Sequence, residues 1–108
     1  MTLPDSYRNA LVAWARSEPL VAAVRVFGSY AKGTARPTRD PDASDLDLAV
    51  TLAPTEQETD IVWIDNYPRW LAELEAKIDC KVQLELDHNA PTVRAGIEEA
   101  SILIYENR

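Results

Sequence analysis

The alternation Asp45-Leu46-Asp47-Leu48, running on into Ala49-Val50, constrains the fold of this 108-residue chain more than any other segment. In an extended strand Leu46, Leu48 and Val50 face a core while Asp45 and Asp47 share the opposite face. Two carboxylates on one face can grip a hard cation. Magnesium takes oxygen ligands and is usually held by one or two carboxylates together with substrate phosphates.

A complementary segment lies upstream. Val24-Arg25-Val26-Phe27 reads as a short buried strand, Gly28 lets the backbone turn, and Ser29-Tyr30-Ala31-Lys32 opens a short helix that Gly33 ends. A helix start presents unpaired amides and a positive dipole end, so Ser29 is placed to bind a phosphate oxygen of a nucleotide whose other oxygens sit on the ion. Each motif alone is common. Their order, with a strand before each, is more specific.

Gly28-Ser29-Tyr30-Ala31-Lys32-Gly33-Thr34-Ala35-Arg36-Pro37 leading to Ser44-Asp45-Leu46-Asp47-Leu48 resembles a minimal nucleotidyltransferase of the DNA polymerase β superfamily, over about residues 20 to 105. That resemblance implies transfer of a nucleoside monophosphate from a nucleoside triphosphate to a hydroxyl with two magnesium ions. It implies Gly28 and Ser29 as the phosphate-binding pair and Asp45 and Asp47 as metal ligands and catalytic residues. Members of the superfamily carry a third carboxylate on a later strand. Here that strand is Lys81-Val82-Gln83-Leu84-Glu85-Leu86, and the third Asp falls on Gln83.

Gln is not a base and offers only a neutral oxygen. Glu85 is the substitute: it shares the face of Gln83, lies about 6.6 Å further along by strand rise, and has a longer side chain. As a third metal ligand and catalytic carboxylate it completes the site; otherwise it is a solvated strand residue. The link between the two motifs is also about five residues longer than the compact family form, through Arg39-Asp40-Pro41-Asp42-Ala43. With Thr34, Pro37 and Thr38 this reads as a surface loop from which Arg36 and Arg39 reach a triphosphate or an acceptor, or only solvate the loop.

Length fits one domain over residues 1–108 and leaves no room for a separate acceptor-binding domain. The acceptor is then expected on another protein. A formal charge of −7, from 18 acidic and 11 basic residues, argues against a nucleic-acid substrate, which is bound mainly through Lys and Arg. A nucleotide held through a metal remains compatible with acidity, because the ion brings its own charge. Small members of the superfamily resemble antitoxins that pair with HEPN-type toxins, some of them moving AMP from ATP to a toxin tyrosine. That partner and ATP are the expectation here. The rival expectation is a catalytically degenerate module that neutralises a partner by contact alone.

One cysteine, Cys80, excludes an internal disulfide, and no apolar run is long enough for a membrane span or signal peptide. The expectation is a cytoplasmic protein without membrane contact. Cys80 reads as an inert thiol and His88, the sole histidine, as a loop residue with no zinc-ligand neighbours.

The remaining elements follow from periodicity. A helix is expected over 5–16, strands over 22–27, 46–52 and 81–86, a short helix over 91–100, and a terminal strand or extended segment over 101–105. Ile64, Tyr67, Leu71, Leu74 and Ile78 recur at helical spacing as a core-facing stripe, with Pro68 predicting a kink or two helices meeting near Tyr67. Trp63 and Trp70 flank that stripe as an aromatic patch, either an interface or ordinary packing. Together these predict an α/β (α+β two-layer) domain, a small mixed sheet of three to four strands with helices packed on it.

Overall fold

The computed structural model describes residues 3–36, 43–87 and 90–107. Its eight elements are α1 (Asp5–Ser17), β1 (Val21–Phe27), α2 (Ser29–Lys32), β2 (Leu46–Leu52), α3 (Thr59–Lys77), β3 (Val82–Leu86), α4 (Pro91–Glu99) and β4 (Ser101–Glu106). The strands form one mixed sheet in the order β3-β2-β1-β4. β1 pairs antiparallel with both β2 and β4, whereas β2 and β3 run parallel, joined by the α3 crossover. Arg39 and the centre of the long loop, with His88, fall outside the described residues.

Alternation decides what each sheet face does. Val24 and Val26 of β1, Leu46, Leu48 and Val50 of β2, and Val82 and Leu84 of β3 belong to one buried cluster with Tyr7, Leu11 and Trp14 of α1 and Trp70 and Leu74 of α3. The opposite face is thinner. There Phe27 and Ala49 pack against Val93 of α4. Gly96 allows this close seating, because a Cβ at that position would stand 2.9 Å from the Phe27 ring.

α3 runs unbroken through Pro68, so of the two expected outcomes, a kink or two helices, the second does not occur. Pro68 faces solvent, and the buried anchors Val62, Trp70 and Leu74 hold both halves on one surface, outweighing the lost amide. The inward stripe is also rotated from the expected one. Leu74 and Ile78 are buried and Tyr67 and Leu71 pack at the margin, but Ile64 is 69% exposed.

The two tryptophans separate as well. Trp70 is fully buried, edge-on to Trp14 at 6.0 Å between centroids, so it belongs to the core and not to a surface patch. Trp63 lies only partly buried, 6.0 Å from Trp70 and 5.6 Å from Tyr67. A polar clamp reinforces the α1–α3 seam: Arg69 Nη1 lies 2.7 Å from Glu18 Oε1, and Glu18 is 8% exposed.

Candidate active site

β1 delivers the chain to Gly28, where the backbone takes φ 70° and ψ −147°. Side chains are effectively excluded from that region. Space excludes them too, since a Cβ on Gly28 would lie 2.1 Å from the Asp47 carboxylate oxygen Oδ2. Gly28 therefore does more than turn the chain. It brings the start of α2, and with it Ser29, directly against Asp47.

α2 is a single turn. Its end is capped by Gly33 at φ 77°, whose amide donates to the Ser29 carbonyl, as does the Thr34 amide at 2.9 Å. Tyr30 buries its ring and fixes the turn on the core, and Lys32 reaches Glu99 of α4 at 2.9 Å. The neck of the long loop is tied by the Arg36 amide, which donates to the Ser44 hydroxyl at 2.9 Å. Ser44, the residue that precedes Asp45, thus ties the start of β2 to the neck of the loop, a role that its place in the motif did not reveal.

The parallel register sets Asp47 opposite Gln83, and Ala49 opposite Glu85. Asp47, Gln83 and Glu85 line one cleft of about 200 Å³ together with Phe27, Thr92 and Val93. Asp47 has a carboxyl pushed up to about 6, first by burial, then by the negative charge of Asp45 and of Glu85. The three carboxylates predicted from the sequence are therefore electrostatic neighbours on one face of the sheet.

Gln83 occupies the expected third-carboxylate position, and its amide Nε2 donates to Asp45 Oδ2 at 3.0 Å. Sequence reasoning treated Gln83 only as a lost ligand. Its amide donor is the signal from which this contact could have been found. Among the described residues no three His, Cys, Asp or Glu side chains converge as a ready metal cage. The donor set suits a divalent ion in another way: two hard oxygen donors crowded by a third negative charge, leaving the remaining positions to substrate phosphates. Cys80 lies beside Tyr7 and Tyr30, with its thiol pushed up by burial.

The family model described as polymerase beta, nucleotidyltransferase, matches residues 9–108. The chain belongs to the polymerase β nucleotidyltransferase family. No curated protein matches this nucleotidyltransferase, but solved structures do. A chain of a toxin–antitoxin complex with AMP-PNP shares 23% identity over 94% of this chain and 74% of its own, with a TM-score of 0.65. A chain of the complex between a tri-AMPylated Shewanella oneidensis HEPN toxin and an MNT antitoxin shares 18% over 94% and 71%, with a TM-score of 0.60. A chain of the MntA–HepT toxin–antitoxin shares 19% over 96% and 74%, also at 0.60. At these identities the likeness is one of fold. Among the described residues of this nucleotidyltransferase, no helix is long and apolar enough to cross a membrane.

Proposed function

We propose that this chain transfers AMP from ATP to a hydroxyl of a partner protein, and that the partner is a HEPN-type toxin held in check by the modification. The observation that carries the reading is Asp47, a half-buried carboxyl raised to about 6 beside Asp45 and Glu85, packed against Gly28 at the start of α2. Negative charge concentrated in this way suits a site that is completed by a metal-bound triphosphate. The complexes of similar fold, one with AMP-PNP and one with an AMPylated toxin, support the choice of nucleotide and partner.

Asp45 and Asp47 would hold magnesium, which when bound neutralises the phosphates and the charge that develops on them during transfer. The chain's own residues do the rest. Ser29 and the amides at the start of α2 hold a phosphate oxygen. Gln83 keeps the Asp45 carboxylate oriented through its 3.0 Å hydrogen bond. The acceptor oxygen bonds to the α-phosphorus as the bond to pyrophosphate breaks, and the Glu85 carboxylate takes the hydroxyl proton. Glu85 is chosen because it lines the cleft with Asp47 and also reaches the outer surface of the sheet edge.

The test is calorimetric titration of ATP, with and without magnesium, followed by transfer of labelled AMP to a cognate toxin. Asp45→Asn and Asp47→Asn each reduce transfer by at least ~10² if electrostatic stabilisation carries the rate. Transfer retained in both variants refutes the mechanism. The Gln83–Asp45 hydrogen bond also favours a second reading, a degenerate module that neutralises its partner by contact, because it occupies one carboxylate oxygen with a neutral donor. In that case the Asp variants leave toxin inhibition intact.

A further inference from the structure

A groove of about 390 Å³ opens along the β3 edge of the sheet, lined by Trp63, Ile64, Tyr67 and Pro68 of α3 and by Leu84 and Glu85 of β3. Three features set it apart from ordinary surface. Its wall is apolar and rigid: Trp63 contacts Trp70 at 6.0 Å, and Trp70 contacts Trp14 at 6.0 Å in the core, so the wall is tied to the buried aromatics. Its lip is apolar and open, since Ile61 is 47% and Ile64 69% exposed, and with Pro68 they fall at i, i+3 and i+7 on the outer side of α3. It is also continuous with the carboxylate site, because Glu85 lines both.

Charge identifies the occupant. Residues 40–68 contain eight carboxylates and no lysine or arginine. Of these, Asp60 lies one turn before Ile64 and Asp65 directly after it, both exposed. Pro68 adds to this polarity by removing the amide that would have closed onto the Ile64 carbonyl. A second copy of this chain would bring the same acidic rim and be repelled, and nucleic acid or an anionic membrane surface would be repelled likewise. A basic protein segment is attracted.

We propose that this groove is the docking site for a basic segment of the acceptor protein, one aliphatic or aromatic side chain seated against Trp63, Ile64, Tyr67 and Pro68, with the acceptor hydroxyl led past Glu85. The proposal rests on the protein-acceptor reading above and deepens it. The rigid aromatic wall supplies the anchor pocket, the carboxylates supply orientation and attraction, and Glu85 marks where the groove meets the cleft.

The experiment uses the 108-residue chain and two synthetic peptides. One is built from arginine, leucine and a single tyrosine, and the other has glutamate in place of each arginine. Fluorescence anisotropy reads binding, and calorimetry of ATP with magnesium reads the nucleotide site. The basic peptide binds wild type, weakens with salt, and loses at least about tenfold in affinity in Ile64→Ser and in the Asp60→Lys/Asp65→Lys double variant. The acidic peptide does not bind. Nucleotide binding is unchanged in these variants, whose substitutions are on the surface.

Absence of binding by the basic peptide, binding that survives both variants, or preferential binding of a single-stranded oligonucleotide overturns the proposal. Incubation with labelled ATP separates it from the reading beneath it. Peptide docking that depends on Ile64 without AMP appearing on tyrosine keeps the groove and refutes the acceptor chemistry. AMP transfer that is indifferent to Ile64, Asp60 and Asp65 keeps the chemistry and refutes the groove.

Discussion

Replacing Asp47 by asparagine is expected to make the metal-free protein more stable while removing its function. The Asp47 carboxyl titrates at about 6 in the folded chain against an ordinary 3.8, with burial the main cause and Asp45 and Glu85 adding to it. That difference is equivalent to a ceiling of about 3 kcal/mol. The side chain is only half-buried, so water screens much of the penalty, and about 1 kcal/mol is the figure to expect. The sign follows from proton counts. Below pH 3.8 both states hold the proton and the group contributes nothing to stability. Between 3.8 and about 6 the unfolded chain gives it up first, so stability falls as pH rises, and above 6 the penalty is complete.

In Asp47→Asn the amide side chain carries no charge at any pH and escapes the penalty. Thermal melts in EDTA at neutral pH should therefore place the variant about 4–8 °C above wild type, as expected for about 1 kcal/mol in a domain of this size. The gap should close as the pH is lowered toward 3.8. Magnesium with ATP should reverse the order, because binding to the native state stabilises only the protein that still binds. A variant less stable than wild type at neutral pH, or a gap that does not change with pH, would refute the electrostatic account of this site.

Gln83→Asp exchanges the donor to Asp45 for a further carboxylate; magnesium affinity and AMP transfer should rise while the metal-free protein melts lower, readable by calorimetry and circular dichroism. Gly28→Ala forces a Cβ to within 2.1 Å of the Asp47 carboxylate at φ 70°; ATP binding should be lost, with a stability cost of about 1–3 kcal/mol in urea unfolding. Arg69→Ala leaves Glu18 buried without its 2.7 Å partner; about 1–3 kcal/mol of stability should go without change in ATP affinity, because the clamp lies on the α1–α3 side of the sheet.

The parts of this fold legible in the sequence were those written in a short period. Leu46, Leu48 and Val50 against Asp45 and Asp47 fixed a strand, its inner face and its outer face together, and Val82, Leu84 and Leu86 did the same one strand away. Glu85 was legible for the same reason. What escaped depended on neighbours distant in sequence. Ile64 has the spacing of a core residue, but the inward face of α3 is set by where Trp70 meets Trp14, which no local pattern encodes. Pro68 left open a kink or a second helix, and only the tertiary anchors on either side decide that one helix continues through it. The Gln83–Asp45 bond joins residues 38 apart, and the seating of α4 on Phe27 depends on Gly96.

The parallel pairing of β2 with β3 has a consequence for how the protein comes of age during synthesis. Asp47 and Glu85 meet only after the whole of α3 has crossed over and β3 has joined the sheet. An emerging chain that stops short of residue 82 holds both aspartates but has neither Glu85 nor Gln83 to complete the cleft. Late, non-local closure of this kind is slow compared with helix formation. On the function proposed above, nucleotide binding would then be a maturity signal: it would report that β3 is in place and, by favouring the closed sheet, guard the finished domain against reopening.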